Sequence, residues 1–118
     1  TTLSGMVAKA TGEVPFDAPE VLLSRAGEES RWRDDALGDV PVNYLSTLDI
    51  TGGNSGSATL NAAGEFVGLA FDGNVDSIGA DWAFGPTSRT IHVDVRYMLW
   101  VMESDPEARW LLEELGIE

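Results

Sequence analysis

No cysteine occurs among the 118 residues, which excludes disulfides and thiolate metal sites but does not fix the compartment. Cations are scarce: Lys and Arg total 7 against 20 Asp and Glu, a net charge of −13. A field of that sign repels nucleic-acid phosphates and anionic membrane faces, so neither is expected as a partner. It draws in positive groups such as a peptide's free amino terminus, and it also serves plain solubility. Long apolar runs are lacking too. The longest, from Tyr97 to Met102, falls far short of the roughly 20 residues a membrane-crossing helix needs. His92 is the only histidine. The chain opens on Thr1-Thr2-Leu3, without an initiator Met or a visible signal peptide, and the expectation is a piece of a longer protein whose upstream part was removed.

What is present suffices for a core. With 43% hydrophobic residues, one compact domain is expected, burying roughly two-thirds of its unfolded surface. Three stretches differ in texture. Residues 1–40 are a loop and helical lead-in, 41–94 carry short strands, and 95–118 are helical. Gly5, Gly12 and Pro15 make residues 1–16 read as loop with at most a short strand. Asp17 and Glu20 are spaced as a capping box with Pro19 in the first turn, and Val21, Leu22, Arg25 and Ala26 form one face up to Gly27. The charged run 28–35 surrounds Trp32, expected buried. Strands are predicted at 42–48, 57–60, 65–71 and 90–94, with Asn61-Ala62-Ala63-Gly64 as a hairpin connection. One helix is expected over 95–102. A second is capped by Asp105, starts at Pro106, buries Leu111, Leu112 and Leu115, and stops at Gly116. Trp82, Trp100 and Trp110 are expected in the core.

Chemistry concentrates in Thr51-Gly52-Gly53-Asn54-Ser55-Gly56-Ser57, between two predicted strands. A serine hydroxyl attacks an amide only if it loses its proton on attack and the oxyanion formed is stabilised. Glycines permit a tight turn that aims the Gly53 and Ser55 amides at one point, each donor contributing about 2.7–4 kcal/mol to the transition state. A phosphate loop would require a Lys and a helix after the last Gly, and the α/β-hydrolase elbow a Gly where Ser57 stands. From these residues alone, a catalytic serine and a plain Gly-rich turn stand level.

Four segments, in order, shift that balance: Leu48-Asp49-Ile50-Thr51-Gly52-Gly53-Asn54-Ser55-Gly56-Ser57; Gly68-Leu69-Ala70-Phe71-Asp72-Gly73-Asn74; Asp81-Trp82-Ala83-Phe84; and Arg89-Thr90-Ile91-His92-Val93-Asp94-Val95-Arg96-Tyr97. Together they resemble the bacterial dipeptidyl peptidase 7 and 11 family of chymotrypsin-like serine peptidases, over roughly residues 42–103, with 1–40 only loosely similar. The resemblance implies a mostly β fold with terminal helices, the C-terminal half of a chymotrypsin-like double β-barrel. It implies Ser55 as nucleophile, the Gly53 and Ser55 amides as oxyanion hole, and Asp72 as the carboxylate holding the substrate's free ammonium group. Gly73 stands where acid-specific members carry an arginine, so an uncharged pocket and hydrophobic preference before the cleaved bond are expected. Asp49, six residues before Ser55, sits where trypsin-like enzymes select Lys and Arg, but the family carries an acid there without that specificity; a structural role is expected. Asn54 replaces the Asp that pairs with a freed amino terminus in zymogens. Ala58 replaces a common proline. Peptide substrates, no cofactor, no metal, a homodimer and a periplasmic or secreted location complete the implied picture.

Such a peptidase needs a histidine base and an orienting aspartate. His92 lies 37 residues after Ser55 on a predicted strand and is expected to be structural rather than a metal ligand with Asp94. The base and its aspartate are therefore expected upstream, and the 118 residues alone are expected to be inactive. Three readings follow: a dipeptidyl aminopeptidase, an endopeptidase of the glutamyl or periplasmic type, and an inactive binding or structural module.

Overall fold

The computed structural model describes residues 1–79 and 82–117. Its contacts separate two units: Thr1–Val42 together with the segment from Arg96 onward, and Asn43–Val95. The first begins with a helix, α1 (Leu3–Lys9), where the sequence reads as loop. Gly5 and the absence of a capping side chain hide it from propensity rules. Tertiary contacts supply what local sequence does not. Leu3 is buried and its amide donates to the Val40 carbonyl at 2.9 Å. The Asp39 carboxylate accepts from the Ser4 amide at 3.1 Å and from the Ser4 hydroxyl, satisfying a first-turn donor from outside the helix.

Helix α2 (Glu20–Leu23) is a single turn. The expected capping box is absent, because the extended Pro19, not Asp17, occupies the N-cap position. Leu3, Leu22, Val40 and Trp100 form this unit's buried cluster, with Met6, Trp32 and Tyr97 against it. Trp32 is half-buried rather than buried, since its indole N–H reaches outward to Glu103 Oε2 at 2.6 Å. Helix α3 (Val95–Ser104) contributes Trp100, and Arg96 on it pairs with Asp34 at 2.6 Å. Helix α4 (Trp110–Glu114) follows a turn in which Asp105 Oδ1 accepts from the Glu107 amide at 2.9 Å, and Gly116 ends it at φ +68°. Of its expected stripe only Leu112 is buried; the helix is too short to turn Leu115 inward, and Leu115 and Trp110 are exposed. Trp82 lies outside any strand or helix and is 92% exposed, so it too is not core.

The second unit is an antiparallel sheet of β1 (Asn43–Ser46), β2 (Ser57–Leu60), β3 (Phe66–Gly73) and β4 (Thr90–Asp94), in the order β1-β4-β3-β2. The turn after β2 has Gly64 at φ +81°, as the hairpin sequence demands. Registers set Tyr44 opposite His92, and His92 opposite Ala70. The Tyr44 and His92 rings stack at 4.7 Å and 7°. His92 is fully buried, with Nε2 2.7 Å from the Ser46 hydroxyl and Nδ1 2.8 Å from that of Thr59. It thus links β1, β4 and β2 across β3, which small residues, Gly68 and Ala70, leave low enough to cross. A Cβ on Gly68 would collide with the Val93 carbonyl oxygen and lie 2.9 Å from the Tyr44 hydroxyl. Close approach of backbone, rather than turn geometry, requires glycine there.

Two outcomes follow for any folded protein containing this segment. Gly68→Ala should lower unfolding free energy by about 2 kcal/mol or more, read by urea denaturation, because neither obstructing atom can withdraw cheaply. Burial lowers the pKa of His92 from 6.5, so the folded state refuses a proton that the unfolded state accepts. Its contribution is intact above about pH 6.5 and declines as pH falls toward the depressed folded-state value. Comparing wild type with His92→Gln from pH 8 to pH 5 should show the steeper decline in the wild type.

Candidate active site

The serine loop is shaped by its own side chains and pinned to the sheet. Asn54 Nδ2 donates to the Thr51 carbonyl at 3.0 Å, and the Ser57 amide to the Asn54 carbonyl at 2.9 Å. Asn54 therefore closes the loop internally. Gly53 and Gly56 take φ of +95° and +85°, a region in which any L side chain is strained. The Gly56 amide donates to the Ala70 carbonyl at 2.7 Å, which fixes the loop on β3.

Immediately beyond that anchor β3 changes register. Ala70 faces His92 but Asp72 faces Ile91, so Phe71 is an extra, bulged residue. Bulges bend a strand and redirect its groups. Here the Phe71 carbonyl turns to the Ser55 hydroxyl, which donates to it at 3.4 Å, a long bond that leaves the oxygen exposed. The amides of Gly53 and Ser55 donate to no acceptor among the described residues. Asp72 is exposed, receives only the Gly73 amide at 2.8 Å, and has no cationic partner among the described residues.

Ser55, Asp72 and Gly73 share one depression of about 250 Å³, which Ile50, Phe71, Ser77 and Ile78 help to line. No Lys or Arg lines it among the described residues. Gly53 itself lies outside the lining, although Gly52 is part of it. Asp49 is exposed, does not line the depression and has no hydrogen-bond partner among the described residues, so no contact supports a structural role for it. Asp81, in the third resembling segment, lies outside the described residues.

His92 cannot reach this chemistry, since both ring nitrogens are engaged and the ring is inaccessible. Among the described residues no group of three His, Cys, Asp or Glu is arranged to hold a metal. Sequence reasoning missed the bulge, the Phe71 carbonyl and the Ser77–Ile78 wall. The stretch Phe66–Phe71 holds no polar residue, so it carries no alternation that an inserted residue could interrupt.

A family model described as Peptidase S46 matches residues 1–117, so the kinship extends well beyond 42–103. The Asp/Glu-specific dipeptidyl-peptidase of Shewanella putrefaciens is 40% identical over 99% of this chain and 19% of its own length. Dipeptidyl-peptidase 7 of Capnocytophaga gingivalis is 38% identical over 99% of the chain and 17% of its own. The crystal structure of Porphyromonas endodontalis DPP11 in complex with the dipeptide Arg-Asp superposes with TM-score 0.88 and 32% identity, covering all of this chain and 17% of that one. The chain thus spans about a fifth of these relatives. With the match running through the lead-in, the serine loop and the terminal helices alike, the chain belongs to the peptidase S46 family.

Proposed function

We propose that these residues carry the nucleophile and the amino-terminus anchor of a serine dipeptidyl peptidase, which releases dipeptides from free peptide amino termini. One observation carries the reading: Ser55 and an uncompensated carboxylate, Asp72, line a single depression. Ser55 Oγ attacks the carbonyl carbon of the second residue and gives its proton to a histidine supplied from outside these 118 residues. The idle amides of Gly53 and Ser55 receive the oxyanion. The proton passes to the departing amine, and water then hydrolyses the acyl-serine. Asp72 binds the substrate's α-ammonium, so the fixed distance between anchor and nucleophile measures two residues.

Selectivity before the cleaved bond follows from the lining. Relatives carry both the Asp/Glu-specific and the dipeptidyl-peptidase 7 names, so kinship favours neither preference. Gly73 brings no charge, and Ile50, Phe71 and Ile78 are apolar. An acidic side chain would be desolvated there without a cation, which disfavours it relative to Leu or Phe. The wider architecture in this reading is a chymotrypsin-like double β-barrel, to which the four-stranded sheet contributes strands. The enzyme would act as a periplasmic or secreted homodimer.

The test uses the full-length enzyme and chromogenic dipeptide amides. Ser55→Ala should reduce turnover by about 10⁴-fold or more. Asp72→Asn should lower kcat/KM about 10- to 150-fold, the value of one hydrogen bond to a charged group. Acetylating the substrate should abolish cleavage; undiminished cleavage would identify an endopeptidase instead. Substrates with Leu or Phe at the second position should exceed their Asp counterparts, and the reverse order would overturn the pocket assignment.

A further inference from the structure

Gly73 is not glycine for the sake of its backbone: it is absent from the chain's positive-φ glycines. It is glycine because of its neighbour. A Cβ added at residue 73 would lie 2.9 Å from Ser77 Cβ and 3.3 Å from Ser77 Oγ. Atoms at a flexible tip could swing aside, but a Cβ moves only with its backbone. The Ser77 backbone belongs to the single 3₁₀ turn Val75–Ser77, which is tied down at several points.

The tie is a clamp built on Asn74. Its Oδ1 accepts from the Ser77 hydroxyl at 2.7 Å and from the Arg89 amide at 2.8 Å. Its Nδ2 donates to the Thr87 carbonyl at 2.9 Å, and its own amide to the Arg89 carbonyl, also at 2.9 Å. Ser77 adds to this, its amide donating to the Asn74 carbonyl at 2.8 Å and its Oγ accepting from the Arg89 amide at 3.1 Å. The turn is thereby fastened to the residue before β4. Its wall cannot retreat from Gly73 without breaking bonds that hold both segments.

We propose that Ser77 is a specificity-determining positioning residue. Held by the Asn74 clamp, its Cβ occupies the space beside residue 73, restricts that position to glycine, and sets the width of the pocket for the side chain before the cleaved bond. Residues 73 and 77 therefore act as one unit. The inference rests on the dipeptidyl peptidase reading above.

The experiment is a double-mutant cycle in the full-length enzyme, with Gly73→Ala, Ser77→Gly and both together, and Ser77→Ala alongside. Dipeptide amides with Ala, Leu and Phe at the second position report the pocket, and urea denaturation reports packing. Gly73→Ala alone should lower kcat/KM for Leu and Phe substrates about tenfold or more, as small displacements in a reacting site do. On the Ser77→Gly background, adding Gly73→Ala should cost only a small part of that loss. Ser77→Ala keeps the Cβ and loses only the hydroxyl's bonds, while the Asn74 bonds to Thr87 and Arg89 and the bond from the Ser77 amide still hold the turn. It should lower the denaturation midpoint slightly while leaving the ratio of Phe to Ala cleavage unchanged, whereas Ser77→Gly should raise that ratio. A wild-type enzyme without dipeptide-releasing activity would sink the parent reading and this one together. In an active enzyme, additive effects at 73 and 77, or a harmless Gly73→Ala, would overturn this inference alone.

Discussion

The Gly56 amide meets the Ala70 carbonyl at 2.7 Å, and the candidate site is laid out from that bond. On one side hangs the serine loop, whose shape is internal but whose place on the sheet is not. On the other, the chain runs one residue before the bulge at Phe71 and two before Asp72. Ser55 and Asp72 come from separate sequence segments, yet both are referred to the same point on β3. Were β3 regular, Asp72 would project from the face opposite to the one it takes and the register with Ile91 would shift. The geometry of the depression is thus a property of strand pairing as much as of side chains.

That pairing depends in turn on an unusual core. Beneath the sheet the buried set is rich in polar groups: Thr59, Ser88, Thr90, His92 and Asp94. Such groups are tolerated only when partnered. His92 satisfies two hydroxyls at once, and Thr90 Oγ1 donates to the Leu48 carbonyl at 2.6 Å. The latter bond ties the segment leading to the serine loop to β4. The Tyr44 hydroxyl is the exception, buried without a partner among the described residues, at a position where Gly68 leaves it just enough room. Burial pushes its pKa up, which keeps it neutral.

Much of this was legible beforehand, and the failures have physical causes. The strand at 57–60 and its turn follow from alternation and from Asn61 and Gly64, signals that are local and strong. The strand at 90–94 and the helix after it are equally local. Helix α1 was not, because its first turn is satisfied by Asp39, 35 residues away from Ser4, and its one buried anchor meets Val40. Leu115 reads as core from helical spacing and Trp110 from its apolar neighbours, but α4 lasts five residues and cannot carry a stripe that long. At the site, Ser55, Asp72 and Gly73 could be named from motif resemblance, and the fold brings them to one depression. The wall formed by Ser77 could not be, since a serine four residues beyond a glycine carries no message until the turn between them is known.

The sequestration of His92 has a consequence for enzymology. The sole imidazole of these 118 residues is closed to solvent and hydrogen-bonded at both nitrogens. An acylating reagent that attacks exposed imidazoles finds no target in this segment. Under the peptidase reading proposed above, loss of activity on such treatment, or the acid limb of a pH–rate profile, would be assigned to a histidine other than His92. Ser55, the proposed source of the attacking oxygen, would then sit in a segment that such a reagent leaves silent.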